Sequence, residues 1–148
     1  MKRYLSLACL FALLLSAGSA AALDYGSVAS QSAILYDAPS AKAKKLYVVS
    51  RYTPLELVVT LNDWVKVRAQ DGTLAWVEKR SLANARYVVV TAALADVRKT
   101  PDSAASLVFQ ARKQVALEWK GNTGTGWIRV RHPDGAGGYV KMNEVWGG

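Results

Sequence analysis

The sequence predicts an all-β protein made of two tandem small β-barrels packed together, and three observations carry that expectation. First, the stretch Trp64-Val65-Lys66-Val67-Arg68, Asp71-Gly72, Trp76-Val77 returns as Trp127-Ile128-Arg129-Val130-Arg131, Asp134-Gly135, Tyr139-Val140, each feature 63 residues later. A period of that size is one small domain repeated. Second, short β-prone runs alternate with turn signals at the spacing of sandwiches and barrels. Third, no window sustains a helical period. A unit of roughly 60 residues buries only about 60% of its unfolded surface and is marginal alone. The two units are therefore expected to touch.

Residues 1–22 read as a secretory signal peptide. Lys2 and Arg3 are a basic start, Leu5 to Leu15 an apolar run, and Ala20 and Ala22 the small residues that place a cut before Leu23. Cys9, the only cysteine, falls in the apolar run, so the processed chain has no disulfide and no thiol nucleophile. The first unit is then 23–85 and the second 86–148. Val28 to Leu35 reads as one half-buried strand, ended by the turn chemistry of Tyr36-Asp37-Ala38-Pro39-Ser40. Ala41 to Lys45 is a lysine-rich loop, Leu46 to Val49 a strand, and Ser50 to Pro54 its break. Leu55, Leu57 and Val59 alternate with Glu56 and Val58, which predicts a strand with one apolar face throughout. After the Leu61-Asn62-Asp63 turn, Val65 and Val67 point to one face and Trp64, Lys66 and Arg68 to the other. Asp71-Gly72 predicts a tight primed hairpin, Ala75-Trp76-Val77 the return strand, and Glu78 to Leu82 a one-turn closure.

The second unit repeats this order. Tyr87 to Thr91 is a strand, Val97 to Asp102 the proline turn, Leu107 to Phe109 a strand, and Val115 to Trp119 an alternating strand. Gly121 to Gly126 reads as a long glycine-rich loop before the Trp127 strand. Pro39 and Pro101 lie 62 apart, so the spacing slips by one residue between the proline turn and the tryptophan strand. Leu82 to Arg86 is the only candidate linker.

These motifs together resemble tandem bacterial SH3 domains over nearly all of the processed chain. The family's proline turn is matched by Ala38-Pro39-Ser40 and by Val97-Arg98-Lys99-Thr100-Pro101-Asp102. Its Trp-x-basic-Val strand is matched at Trp64 and Trp127, and its Asp-Gly hairpin at residues 71–72 and 134–135. Its Gly-Trp-Val return strand is matched at 75–77 and 138–140, with Ala75 for the glycine and Tyr139 for the tryptophan. The Pro-x-Asn-Tyr segment with which eukaryotic relatives hold proline-rich peptides is absent from 78–82 and 141–145, so such ligands are not expected. The resemblance implies that the family tryptophan lines a binding groove. Tyr36, Trp64, Lys66, Arg68, Trp76, Trp127, Arg129, Arg131 and Tyr139 are the expected ligand-binding residues, the alternative being that the rings cap the barrel core. An indole beside cationic side chains can stack on a peptide or sugar while the cations hold a carboxylate.

A catalytic site is hard to assemble. His132 is the only histidine and stands in a turn before Pro133, no Gly-x-Ser-x-Gly elbow is present, and the carboxylates are scattered. No metal site, cofactor or catalytic residue is expected. The net charge is +8, falling by two on processing; 23–85 holds 8 basic and 6 acidic residues, 86–148 holds 9 and 5. In an exported protein this basic excess suits anionic partners such as cell-wall carboxylates. Nucleic acid is argued against by export and by the lack of a dense basic cluster. The expected function is that of a periplasmic or secreted, monomeric, non-catalytic binding protein for cell-wall peptide or peptidoglycan. The alternative is an adaptor for an envelope enzyme or secretion component.

Overall fold

The computed structural model of the chain describes residues 22–148, so the expected signal peptide and Cys9 lie, but for Ala22, outside the described residues. The first half forms β1 (Tyr25–Val28), β2 (Ser32–Tyr36), β3 (Lys45–Ser50), β4 (Pro54–Leu61), β5 (Trp64–Arg68), β6 (Leu74–Glu78) and β7 (Leu82–Ala83). The second forms β8 (Tyr87–Val90), β9 (Leu94–Arg98), β10 (Leu107–Arg112), β11 (Ala116–Asn122), β12 (Trp127–Arg131), β13 (Gly137–Lys141) and β14 (Val145–Trp146). A single 3-10 turn, Lys79–Ser81 or Met142–Glu144, precedes the last strand of each. The first sheet runs β3-β2-β6-β5-β4-β1-β7 and the second β10-β9-β13-β12-β11-β8-β14, all antiparallel. The second order is the first with every label advanced by seven. The all-β tandem architecture is as expected.

The register repeats too. Ile34 faces Val48 as Asp96 faces Gln110, and Trp64 faces Glu78 as Trp127 faces Lys141. The one-residue slip sits in one hairpin: three residues separate Thr60 from Trp64, and four separate Asn122 from Trp127. Gly124 and Gly126, at φ of 78° and 86°, take the left-handed turns of the longer loop.

Each barrel is closed on its own apolar core. Leu35, Leu55, Val65, Val67 and Val77 fill the first; Val97, Leu117, Ile128, Val130 and Val140 fill the second. Five local expectations are corrected. Val97 and Arg98, expected in the proline turn, instead end strand β9. The Val28–Leu35 run is two strands, because the chain turns between Val28 and Ser32. The apolar face of β4 does not persist: a bulge between Leu57 and Val59 adds a residue, which turns Val58, Val59 and Leu61 toward solvent. The Gly121 loop begins later, since β11 continues through a matching bulge to Asn122. The Asp71-Gly72 turn is a five-residue loop between the Arg68–Leu74 pair, not a two-residue hairpin. The Ala69 carbonyl accepts from the Gly72 N–H at 2.9 Å, and the Asp71 carboxylate from the Thr73 N–H at 2.9 Å.

The barrels meet along an aromatic seam. Tyr52 stacks on Tyr87 with ring centroids 4.5 Å apart, and Tyr25 meets Trp146 edge-on at 5.4 Å. Arg86, between β7 and β8, lays its guanidinium over Trp119 at 4.2 Å and over Tyr25 at 5.6 Å. The Ser27 hydroxyl donates to the Ala85 carbonyl at 2.6 Å. The arrangement is reciprocal. Tyr52, in the β3–β4 turn, shares a cavity with His132 and Asp134 of the other barrel, while Lys113 and Gln114, in the β10–β11 turn, share one with Ala69 and Asp71. Both turn tips are strained, with Tyr52 at φ 68° and Gln114 at φ 72°.

Candidate functional site

The outer face of the β5–β6 hairpin carries the expected residues because strand alternation sends Val65 and Val67 into the core and leaves Trp64, Lys66 and Arg68 on the other side. Across this face of the first barrel, Lys66, Trp76 and Tyr36 form one cross-strand row. Lys66 Nζ stands 6.0 Å from the centre of the Trp76 ring, near the outer limit of a cation–π contact. Tyr36 meets Trp64 edge-on, centroids 5.4 Å apart, so the indole is braced by a ring that is itself only 6% exposed.

Two open depressions flank these rings. One is lined by Asp63, Trp64, Glu78, Lys79 and Arg80, and the other runs from Ser32 past Tyr36 to the same Glu78 and Arg80. Glu78 and Arg80 form an ion pair on the shared wall. The result is a shallow groove with an aromatic floor and a rim of both charges. Asp63, Glu78, Lys79 and Arg80 were not among the residues expected from sequence, although counting outward in equal steps from Asp71 places Glu78 directly opposite Trp64.

The second barrel answers the same positions differently. Trp127 is only 9% exposed, and its cross-strand partner is Lys141, whose Nζ lies 5.9 Å from the ring centre. In place of Tyr36 stands Arg98, which donates to Asp96 at 2.6 Å and to the Ala105 carbonyl at 2.8 Å. Gln110 donates to the other Asp96 oxygen at 2.8 Å. That bond, with Arg98, holds the Asp96 carboxyl below its ordinary pKa. Tyr139 lies between Arg98 and Arg129 in the cross-strand row, and Arg129 is exposed.

Two expected cations do not stand free. Arg68 donates to both Glu56 oxygens at 2.8 and 2.9 Å, and Arg131 donates to Glu118 at 2.6 and 2.9 Å. Hydrogen bonds from Arg131 and Lys120 lower the Glu118 pKa. The structure thus brings Tyr36, Trp64, Lys66 and Trp76 together, sets Arg68 aside in an ion pair, and places Trp127, Arg129 and Tyr139 on a separate face. Arg131 belongs to the inter-barrel seam, not to either aromatic face.

His132 Nδ1 accepts from the Asp134 N–H at 3.2 Å and lies 3.1 Å from its carboxylate. No serine hydroxyl bonds to it among the described residues, and no group of three or more His, Cys, Asp or Glu is placed to hold a metal there. Among the described residues no helix is long and apolar enough to cross a membrane.

The profile of the family described as bacterial SH3 domain matches residues 29–84 and 91–147. No curated protein matches the sequence. Among solved structures, NlpC2 from Trichomonas vaginalis is 14% identical over 84% of this chain and 48% of its own, with a TM-score of 0.40. NlpC1 from Trichomonas vaginalis is 17% identical over 92% and 50%, with a TM-score of 0.40. An NlpC/P60 family protein from Bacillus cereus is 16% identical over 83% and 56%, with a TM-score of 0.39. The chain spans about half the length of these structures.

Proposed function

The chain belongs to the bacterial SH3 domain family, matched once in each half, and from that premise we propose that it is an exported binding protein for cell-wall peptide or glycan. The family is one of binding modules, not of catalytic domains. In this reading residues 1–22 are removed, units 23–85 and 86–148 work as one monomeric body, and the ligand lies on the Trp64 groove of the first barrel.

The observation that carries it is the braced indole. Trp64, held edge-on by Tyr36, offers a flat face between Asp63, Glu78, Lys79 and Arg80. An aromatic platform with both charges at its rim suits a ligand that is part sugar or apolar peptide and part zwitterion. Trp127, Arg129 and Tyr139 form a second contact in which Lys141 replaces the carboxylate of Glu78.

Retention on purified peptidoglycan tests the reading. The intact protein is expected in the sedimented fraction, and Trp64→Ala is expected to sediment with a lower affinity. A protein that stays in solution, or a Trp64→Ala variant retained as well as the parent, would sink it.

A further inference from the structure

Each barrel has a seam to close between its outer strand, β3 or β10, and the loop that follows its tryptophan strand. In the second barrel the chain closes it unaided: Phe109 on β10 meets the His132 ring edge-on, centroids 5.7 Å apart. The residues at the same two places in the first barrel are Tyr47 and Ala69. A methyl group does not reach across, and Tyr47 is left 50% exposed. An open cavity of about 500 Å3 remains between β3 and the loop from Ala69 to Asp71, with the core residues Leu35 and Leu55 in its lining. Its volume falls in the range of roughly 300–1,000 Å3 usual for ligand pockets.

We propose that this seam docks an extended segment of a second protein, inserting a phenylalanine-sized aromatic side chain flanked by a basic and an acidic residue. The duplicate barrel shows what the seam takes: there two rings, Phe109 and His132, meet across it, whereas the first barrel has a ring, Tyr47, at only one of the two places and Ala69 at the other. Strand β3 is the outermost strand of its sheet and pairs with β2 alone, so its free edge can add an incoming strand. Its Val48, 70% exposed opposite Ile34, occupies the place where the second barrel has the hydrogen-bonded Gln110–Asp96 pair. The rim carries the Asp71 carboxylate and the Lys113 ammonium, neither in an ion pair among the described residues. Asp71 calls for a basic residue and Lys113 for an acidic one. Lys113 and Gln114 come from the second barrel, so the site is continuous with the inter-barrel contact. It shares no lining residue with the Trp64 groove and does not depend on the wall-binding reading.

The test is a titration of the processed full chain with two capped tripeptides, acetyl-Lys-Phe-Glu-amide and acetyl-Lys-Ala-Glu-amide, followed by NMR. The phenylalanine peptide is expected to shift the signals of Tyr47, Leu55 and Ala69, and the alanine peptide to leave them in place. Ala69→His, which copies the closed seam, should weaken binding at least fivefold while keeping the parent's melting temperature and its retention on peptidoglycan. Lys113→Glu, on the surface, should weaken it about threefold without touching either core. Shifts centred on Trp64 or on Phe109, equal binding of both peptides, or unchanged affinity in Ala69→His would overturn the proposal. So would sedimentation showing a dimer that Ala69→His abolishes, because a second copy would then be the occupant.

Discussion

Trp64 and Trp127 hold the same register position and have different surroundings, so their substitutions should read out in different assays. Trp64 lines an open groove, and Trp64→Ala is expected to weaken wall binding three- to tenfold, corresponding to about 0.5–1.5 kcal/mol for an aromatic contact. Trp127 is 9% exposed under Lys141, and Trp127→Ala should instead cost about 3–5 kcal/mol of stability, measured by urea unfolding. Glu118 sets a pH dependence. Its pKa is lowered in the folded chain by the Arg131 and Lys120 hydrogen bonds, so its contribution is full above the ordinary carboxylate range and is lost as pH falls through the lowered value. The Glu118→Gln variant should show a flatter acid limb in a series of unfolding curves from pH 7 downward. An equally steep limb would mean that other carboxylates govern it.

At the scale of elements, the two copies of one hairpin differ in how closely their strands approach. A Cβ on Gly138 would lie 2.5 Å from the Arg98 carbonyl oxygen and 2.8 Å from a Val97 methyl, whereas the first barrel holds Ala75 buried at the same place. Gly138→Ala should therefore cost about 1–3 kcal/mol as overpacking, and Ala75→Gly about 1 kcal/mol or less through backbone freedom; thermal unfolding of the pair checks this. The duplication, the tryptophan strands and the face they present were legible in the sequence, because alternation and a 63-residue echo are local patterns. The bulges in β4 and β11 were not. Val58 and Lys120 look like ordinary alternating residues, and only pairing with the neighbouring strand reveals the extra one. The partnering of Arg68 was equally hidden, since Glu56 reaches it from another strand twelve positions away. Tyr36 could be named as an aromatic residue beside the proline turn, but its contact with Trp64 depends on how the sheet closes.

At the scale of the molecule, the seam between the barrels rests on Arg86. Its guanidinium covers Trp119 and Tyr25, and its Nε is buried without a hydrogen-bond partner among the described residues. Arg86→Ala is expected to uncouple the barrels and split one unfolding transition into two in calorimetry. Arg86→Lys should not restore a single transition, because an ammonium lacks the planar face that lies on the indole. Alkaline conditions should loosen the same seam. Burial, followed by nearby Glu56, raises the Tyr25 pKa, and burial raises that of Tyr87. The stability these rings confer is full below the ordinary tyrosine value of 10.0 and is lost as pH rises through their raised values. Fluorescence of Trp146 and Trp119 across that range would follow the loosening. The reciprocal turns also give the chain a timetable. The pocket beside β3 is completed by Lys113 and Gln114, which are synthesised after everything else in its lining. At about 5–20 residues per second, the interval between residues 71 and 114 is roughly 2–9 s. Through that interval the nascent first barrel lacks the wall that Lys113 and Gln114 give this pocket, so the β3 side is more open in the half-made chain than in the finished one.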